Sequence, residues 1–218
     1  MKIAFLFAAA ASLAATSAAA GTPTLEQVWR AEGLCNPEGV AAAPDGAIFI
    51  SNVCGDGGAR DGNGFISRLS TSGEILDLKF IEGLDGPKGM AVHDGNLYVA
   101  DVDIVRIFDA ATGEALDGAP IEGARFLNDV TAWQDDVFVS DSGTGRIWRF
   151  TGTSIDLWRE GEELRGVNGL TGAGDRMFVS TMTSGSLFEA TAAGGWRTIA
   201  TGMEDADGIG VIAGKRGG

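Results

Sequence analysis

One four-residue pattern returns five times along this chain, and its spacing decides what the chain can become. The copies are Pro37-Glu38-Gly39-Val40, Pro87-Lys88-Gly89-Met90, Leu127-Asn128-Asp129-Val130, Val167-Asn168-Gly169-Leu170 and Ala206-Asp207-Gly208-Ile209. Measured at the second residue of each, from Glu38 to Lys88, Asn128, Asn168 and Asp207, the steps are 50, 40, 40 and 39 residues. Each copy opens an alternating apolar run, followed by a turn and a second apolar run that ends in a small residue and a polar one. A repeat of about 40 residues made of strands and turns is the signature of a four-stranded propeller blade. In the third repeat the pattern predicts strands over 128–133, 137–140, 146–150 and 155–158, with a turn at Gln134 to Asp136. In the second repeat the turns fall at Asp94-Gly95 and Thr112-Gly113, dipeptides that mark hairpins between alternating runs. No stretch sustains a 3.6-residue period, so helices should be minor.

Composition agrees with that reading. The 34 glycines stand beside 44% hydrophobic residues, a mixture suited to short strands joined by tight turns and unlike that of a disordered chain. The fifth copy begins only at Ala206. The expected fold is therefore an all-β propeller, C-terminally truncated, with about four blades and the start of a fifth across residues 21–218. The segment Leu25 to Gly33 has strand character and would suit the outermost strand of a closing blade.

Residues 1–20 read separately, as a secretory signal peptide. Lys2 supplies a positive start, Ile3 to Ala15 is apolar but too short to span a bilayer, and Ala18-Ala19-Ala20 is a small-residue cleavage site. A membrane anchor is the competing reading; no Cys at the cleavage point supports lipid attachment. Cleavage removes Lys2 and no acid, taking the formal charge from -14 to -15. Such acidity disfavours nucleic acid and anionic lipid as partners and is compatible with a metal cation. A periplasmic or secreted monomer, with no membrane association after cleavage, is the expectation. In that oxidising compartment Cys35 and Cys54 are expected to pair. With Asp45-Gly46 as a two-residue turn, position 37 faces 54 and 36 faces 55, bringing Cys35 beside Cys54. Two free thiols are the alternative.

The residues also limit the chemistry. The one His, His93, lies at the end of its strand away from the repeated column. A Ser-His-Asp or Cys-His machine needs that His beside a nucleophile, and zinc favours His or Cys ligands. What remains is the column itself. Glu38 and Asp207 offer carboxylates, and Asn128 and Asn168 offer carboxamides, an oxygen set suited to Ca²⁺ or, with tighter geometry, Mg²⁺. Lys88 must turn aside or pair with an acid such as Glu38. A solvated polar channel mouth is the plainer reading of the same residues. A second column, Asn52, Asp101, Asp141 and Thr181, ends the second strands and is expected to bond the following turns. The loop Cys54 to Gly64 contains Asp56, Asp61 and Asn63; a second calcium site and a plain surface loop are both open, although EF-hand spacing is absent. Most of the tryptophans are expected to pack between blades.

The segments Asn36-Pro37-Glu38-Gly39, Leu127-Asn128-Asp129-Val130, Val167-Asn168-Gly169-Leu170 and Asp205-Ala206-Asp207-Gly208 resemble, in order, those of a known family. It comprises senescence marker protein (regucalcin), gluconolactonase and luciferin-regenerating enzyme, which are six-bladed β-propellers. The resemblance implies one divalent metal, Ca²⁺ or Mg²⁺, held by Glu38, Asn128, Asn168 and Asp207, with no ligand from the blade of Lys88. It further implies metal-assisted hydrolysis of a small lactone or ester, with Asp207 as both ligand and catalytic base. Sugar-lactone members carry an Arg two residues before the first Asn ligand. This chain has Phe126 there and Arg125 one place earlier, and strand alternation sends a one-residue shift to the other face. Sugar-acid lactones are accordingly disfavoured. A non-catalytic, metal-containing propeller that binds a small ligand or protein is the alternative function; a redox scaffold has no visible cofactor ligand.

Overall fold

The structure, a computed structural model, describes residues 26–152 and 154–211. The signal-peptide reading of residues 1–20 and residue Leu25 lie outside the described residues. Among the described residues, sixteen strands form four antiparallel sheets, each a simple meander in chain order. The first blade is β1 (Pro37–Ala42), β2 (Ile48–Asn52), β3 (Gly64–Leu69) and β4 (Ile75–Leu84). The second is β5 (Pro87–His93), β6 (Asn96–Asp101), β7 (Ile104–Asp109) and β8 (Ala115–Pro120). The third is β9 (Leu127–Trp133), β10 (Asp136–Asp141), β11 (Arg146–Phe150) and β12 (Ile155–Glu160). The fourth is β13 (Val167–Ala173), β14 (Arg176–Thr181), β15 (Ser186–Thr191) and β16 (Trp196–Thr201), entered through a short 3₁₀ turn at Glu162–Leu164. These are four blades of a β-propeller. No described helix is long and apolar enough to cross a membrane.

Alternation along each strand explains why the blades stack. Successive side chains point to opposite faces, so a strand between two neighbours can bury both. In β6, Leu97 and Val99 join the core shared with blade one, while Tyr98 and Ala100 face the core shared with blade three. In β10, Val137 and Val139 pack toward blade two, and Phe138 packs toward blade four with Trp133 and Met177. Each core therefore lies between consecutive blades, and burial of each large apolar side chain contributes about 1.5–3 kcal/mol. Trp133 is buried, Trp158 packs edge-on against the same core, and Trp196 stacks on its Phe188, as expected for inter-blade tryptophans.

Three expectations need correction. Ala42 pairs with Ile48 and Pro37 with Asn52, not with residue 54. The loop at Asp45-Gly46 spans 43–47, closed by Ala43 N donating to Ala47 O (2.8 Å) with Gly46 at φ 87°. A further register shift lies between Pro37 and Val40. The ladder nevertheless continues through Cys54 N to Cys35 O (3.2 Å), and the Cys35–Cys54 disulfide forms across a Cα–Cα distance of 4.9 Å. Closing a loop across a sequence separation of 19 contributes about 3 kcal/mol through the unfolded chain. The second correction is that residues 26–33 form no strand, since no described strand pairs with them; Val28 is solvent-exposed and Trp29 lies against Gly73. The third is that residues 206–211, the fifth copy of the repeat, also carry no strand. They do dock on blade four, with Ser180 Oγ donating to Asp207 O (2.6 Å).

Candidate metal and ligand site at the channel

The innermost strands β1, β5, β9 and β13 lie side by side in chain order. A glycine just after the site residue makes this approach possible. A methyl group on Gly89 would stand 2.5 Å from Asp129 Cα and 2.8 Å from Asn128 O, and one on Gly169 would stand 2.8 Å from Ile209 N. Blade three has Asp129 at the equivalent position. Its carboxylate accepts Val130 N (2.8 Å) and, from the next blade, Leu170 N (2.7 Å). Serines of the second strands complete the joint. Ser140 Oγ accepts Asp129 N (2.9 Å) and donates to Asn168 O (2.7 Å), and Ser180 Oγ accepts Gly169 N (3.1 Å) and donates to Asp207 O. Each serine thus ties one innermost segment to the next, fixing the level at which the column of polar residues sits.

Glu38, Asn128, Asn168 and Asp207 line one cavity of about 350 Å³, with Asp129 behind them. Asn128 and Asn168 are only 8% and 3% exposed, while Glu38 and Asp207 stand at the open side. The amide nitrogen of Asn168 donates to Met182 Sδ (3.0 Å), which leaves its carbonyl oxygen facing no described partner. The side chains of Glu38, Asn128 and Asp207 likewise make no hydrogen bond to a described residue. The two carboxamide oxygens open on the cavity and are not sealed from it, so they need a partner there. Water or a hard cation meets that need, and an oxygen-only donor set fits Ca²⁺ better than a thiophilic metal. Among the described residues no three His, Cys, Asp or Glu side chains form a metal cluster, so a cation here would depend on the two carboxamides.

The electrostatics lean the same way. Glu38 is exposed as a residue, but desolvation of its carboxyl raises it to about 7, with the Asp129 charge adding, the Lys88 ammonium opposing and Asp207 adding again. Burial also raises Asp129 to about 6, although its two backbone hydrogen bonds pull downward. These acids are uncomfortable as neighbours in their ionised forms, a condition that a divalent cation relieves. Asp129 was not singled out as a functional residue in the sequence. Its signal was present there, as the one acid at a repeat position otherwise held by glycine.

Lys88 does turn aside. It is 3% exposed, its Nζ donates to Gly57 O (2.6 Å) and Gly86 O (2.8 Å), and it lies 4.2 Å from the Phe126 ring centroid. Burial lowers its pKa, against the attraction of Glu38, Asp101 and Asp56. Phe126 therefore serves as a cation-π platform, and the backbone of Arg125 is held by Asp141 (3.2 Å). The Cys54–Gly64 loop spends its polar groups locally: Asp56 accepts Gly58 N (2.9 Å), and Asp61 accepts Asn63 Nδ2 (2.9 Å). It also straps blade one to blade two through Arg60 and Asp103, paired at 2.6 and 2.8 Å. The plain-loop reading describes it. The second column departs in part from its expected role. Asp141 and Thr181 do bond the following turns, but Asp101 accepts Asp85 N (3.0 Å) and Gly86 N (2.7 Å), and Asn52 accepts Cys35 N (2.9 Å), so both hold the segment entering the innermost strand.

No protein-family model matches the sequence, and no curated protein matches it. Solved structures do match. Virginiamycin B lyase from Staphylococcus aureus superposes with a TM-score of 0.62 at 14% identity, over 80% of this chain and 59% of the lyase. The chain therefore spans less than two thirds of that lyase. Glutaminyl cyclase from Myxococcus xanthus gives 0.54 at 15% identity over 84% of this chain and 74% of the cyclase. The PQQ-bound aldose sugar dehydrogenase from Streptomyces coelicolor gives 0.51 at 16% identity over 66% of this chain and 56% of the dehydrogenase. At such identities the likeness establishes the fold alone. The chain is built as a β-propeller, a fold that in these neighbours carries enzymes, and these neighbours show that fold without showing the gluconolactonase-type family.

Proposed function

We propose that this chain is a periplasmic or secreted propeller hydrolase that uses a divalent cation, Ca²⁺ in the first instance, to open a small lactone or ester. The observation that carries the reading is the convergence of Glu38, Asn128, Asn168 and Asp207 on one cavity, with their side-chain oxygens unpaired. These four residues would hold the cation. When bound, it would polarise the substrate carbonyl and favour the developing oxyanion. The protein's own contributions follow from position. Asn128 and Asn168, nearly buried, form the inner wall of the cavity. Asp207, at the open side, is placed to take a proton from an attacking water. Lys88 contributes no electrophile, because its ammonium is committed to two backbone carbonyls. Phe126 offers no hydrogen-bond donor where an Arg would read a sugar hydroxyl, so an apolar or unsubstituted lactone suits the site better than a sugar acid lactone.

The test is a panel of lactones and aryl esters with the full chain, with Ca²⁺ and with EDTA. Turnover is expected only with the cation, and Asn128→Ala should lower kcat/KM by at least about 100-fold. Turnover that survives both EDTA and Asn128→Ala contradicts the proposal. Calcium binding with no turnover on any member of the panel favours a binding propeller instead.

A further inference from the structure

A cavity of about 670 Å³, larger than the channel site, lies elsewhere among the described residues. It opens between blades two and three at the far end of β5, where the strand carries His93 about 17 Å from Lys88. The same cleft recurs one blade on, between blades three and four, at about 290 Å³. The repeat lets the two be compared position by position. His93 stands where the second cleft has Trp133, Tyr98 where it has Phe138, and Ile155 where it has Trp196. Ala119, opposite Val105, stands where Arg159 lies opposite Ile147.

Between blades three and four the chain fills the cleft with its own side chains. Trp158, the extra residue at the β11–β12 register shift, wedges edge-on between Phe138 (5.2 Å) and Trp196 (6.1 Å). The Arg159 guanidinium then covers the Trp196 ring at 4.1 Å. Strand β8 has no such extra residue at this point; it pairs in register from Pro120 to Asp117 and presents Gly118 and Ala119. One aromatic ring and one cation are therefore supplied by the chain at one cleft and missing from its repeat. What lines the larger cleft is complementary to both. Tyr98 and Phe150 meet edge-to-face (6.4 Å) over buried Val137, and the exposed carboxylates of Asp94, Asp117 and Asp135 stand around the opening. No Lys or Arg is among the described residues that line it.

We propose that this inter-blade cleft is a binding site for a small aromatic cation, a planar ring carrying one ammonium or guanidinium group. The ring takes the place that Trp158 holds in the next cleft, against Tyr98 and Phe150. The cationic group takes the place of the Arg159 guanidinium, with the three carboxylates as its counter-charge. This site is separate from the channel, and its occupancy does not depend on the hydrolase reading.

The experiment exploits the single His and single Tyr of the chain, whose proton NMR ring signals identify themselves. On titration with 2-phenylethylamine, both the His93 and Tyr98 signals should shift together and saturate, with a Kd below about 1 mM. The neutral analogue 2-phenylethanol should bind at least about tenfold more weakly, because it lacks the charge that the carboxylates select. Ala119→Arg, which supplies the cation from the chain, and Asp117→Asn, an exposed change that leaves the core intact, should each weaken binding by about tenfold. Absence of a saturable shift overturns the proposal. So does equal binding of the alcohol, or undiminished affinity in both variants.

Discussion

Asp141→Ala should destabilise the protein by about 3–5 kcal/mol, read as a lowered denaturation midpoint with an unchanged slope. Asp141 is fully buried at the end of β10. Its carboxylate accepts Phe126 N (3.0 Å), Arg125 N (3.2 Å), Gly143 N (3.1 Å) and Thr144 Oγ1 (2.6 Å). It thereby joins the segment entering β9 to the turn leaving β10, and it sets the start of the strand that carries Asn128. Removing it strands four donors, each of which costs about 1–3 kcal/mol when buried and unmade, less what water recovers. Thr181 is the equivalent residue of blade four. Its hydroxyl accepts Ser186 N (3.0 Å), lies 3.2 Å from Ser186 O and meets Ser184 Oγ (2.6 Å), so Thr181→Ala strands one backbone donor and should cost about 1 kcal/mol. A loss of under about 1 kcal/mol at Asp141 would show that water replaces the carboxylate and that the residue is no latch.

Gly89→Ala should cost about 3 kcal/mol and weaken cation binding at least tenfold. The added methyl group would meet Asp129 Cα at 2.5 Å and Asn128 O at 2.8 Å. Both are backbone atoms of β9, so relief requires the two innermost strands to move apart and carry Asn128 with them. Gly95, at φ 79° in the β5–β6 turn, is the control. A methyl group there meets nothing within 4 Å, so Gly95→Ala should cost only the left-handed backbone penalty of about 1 kcal/mol and leave cation binding intact. Similar losses of binding in both variants would refute a steric role for Gly89.

The strands were legible because the repeat and the alternation speak about the same residues. Copies one to four of the repeat open β1, β5, β9 and β13, and β11 falls on 146–150 as the pattern predicts. Local geometry was less legible. The Asp45-Gly46 register failed because a turn dipeptide does not reveal whether the loop closes over two residues or five; the closing hydrogen bond from Ala43 decides it. The direction of Lys88 depended on Gly57 and Phe126, from two other blades, which no pattern within its own repeat could disclose. Asn52, Asp101 and Asp141 all reach the segment entering the innermost strand, and Thr181 does not. Which backbone N–H groups such a residue captures depends on the path of the segment 15 to 17 residues earlier. Strand pairing for residues 26–33 and 206–211 needs a partner edge, and apolar content alone does not supply one.

Calcium titration by calorimetry, comparing the native chain with Asn128→Ala/Asn168→Ala, tests the central claim most directly. It separates a cation site from a merely polar channel, because the two carboxamides are the donors that a carboxylate-only mouth would not need. The account predicts one Ca²⁺ per chain, with affinity lowered at least about 100-fold in the double variant while the fold is kept. No binding to the native chain, or equal binding to both, would contradict it.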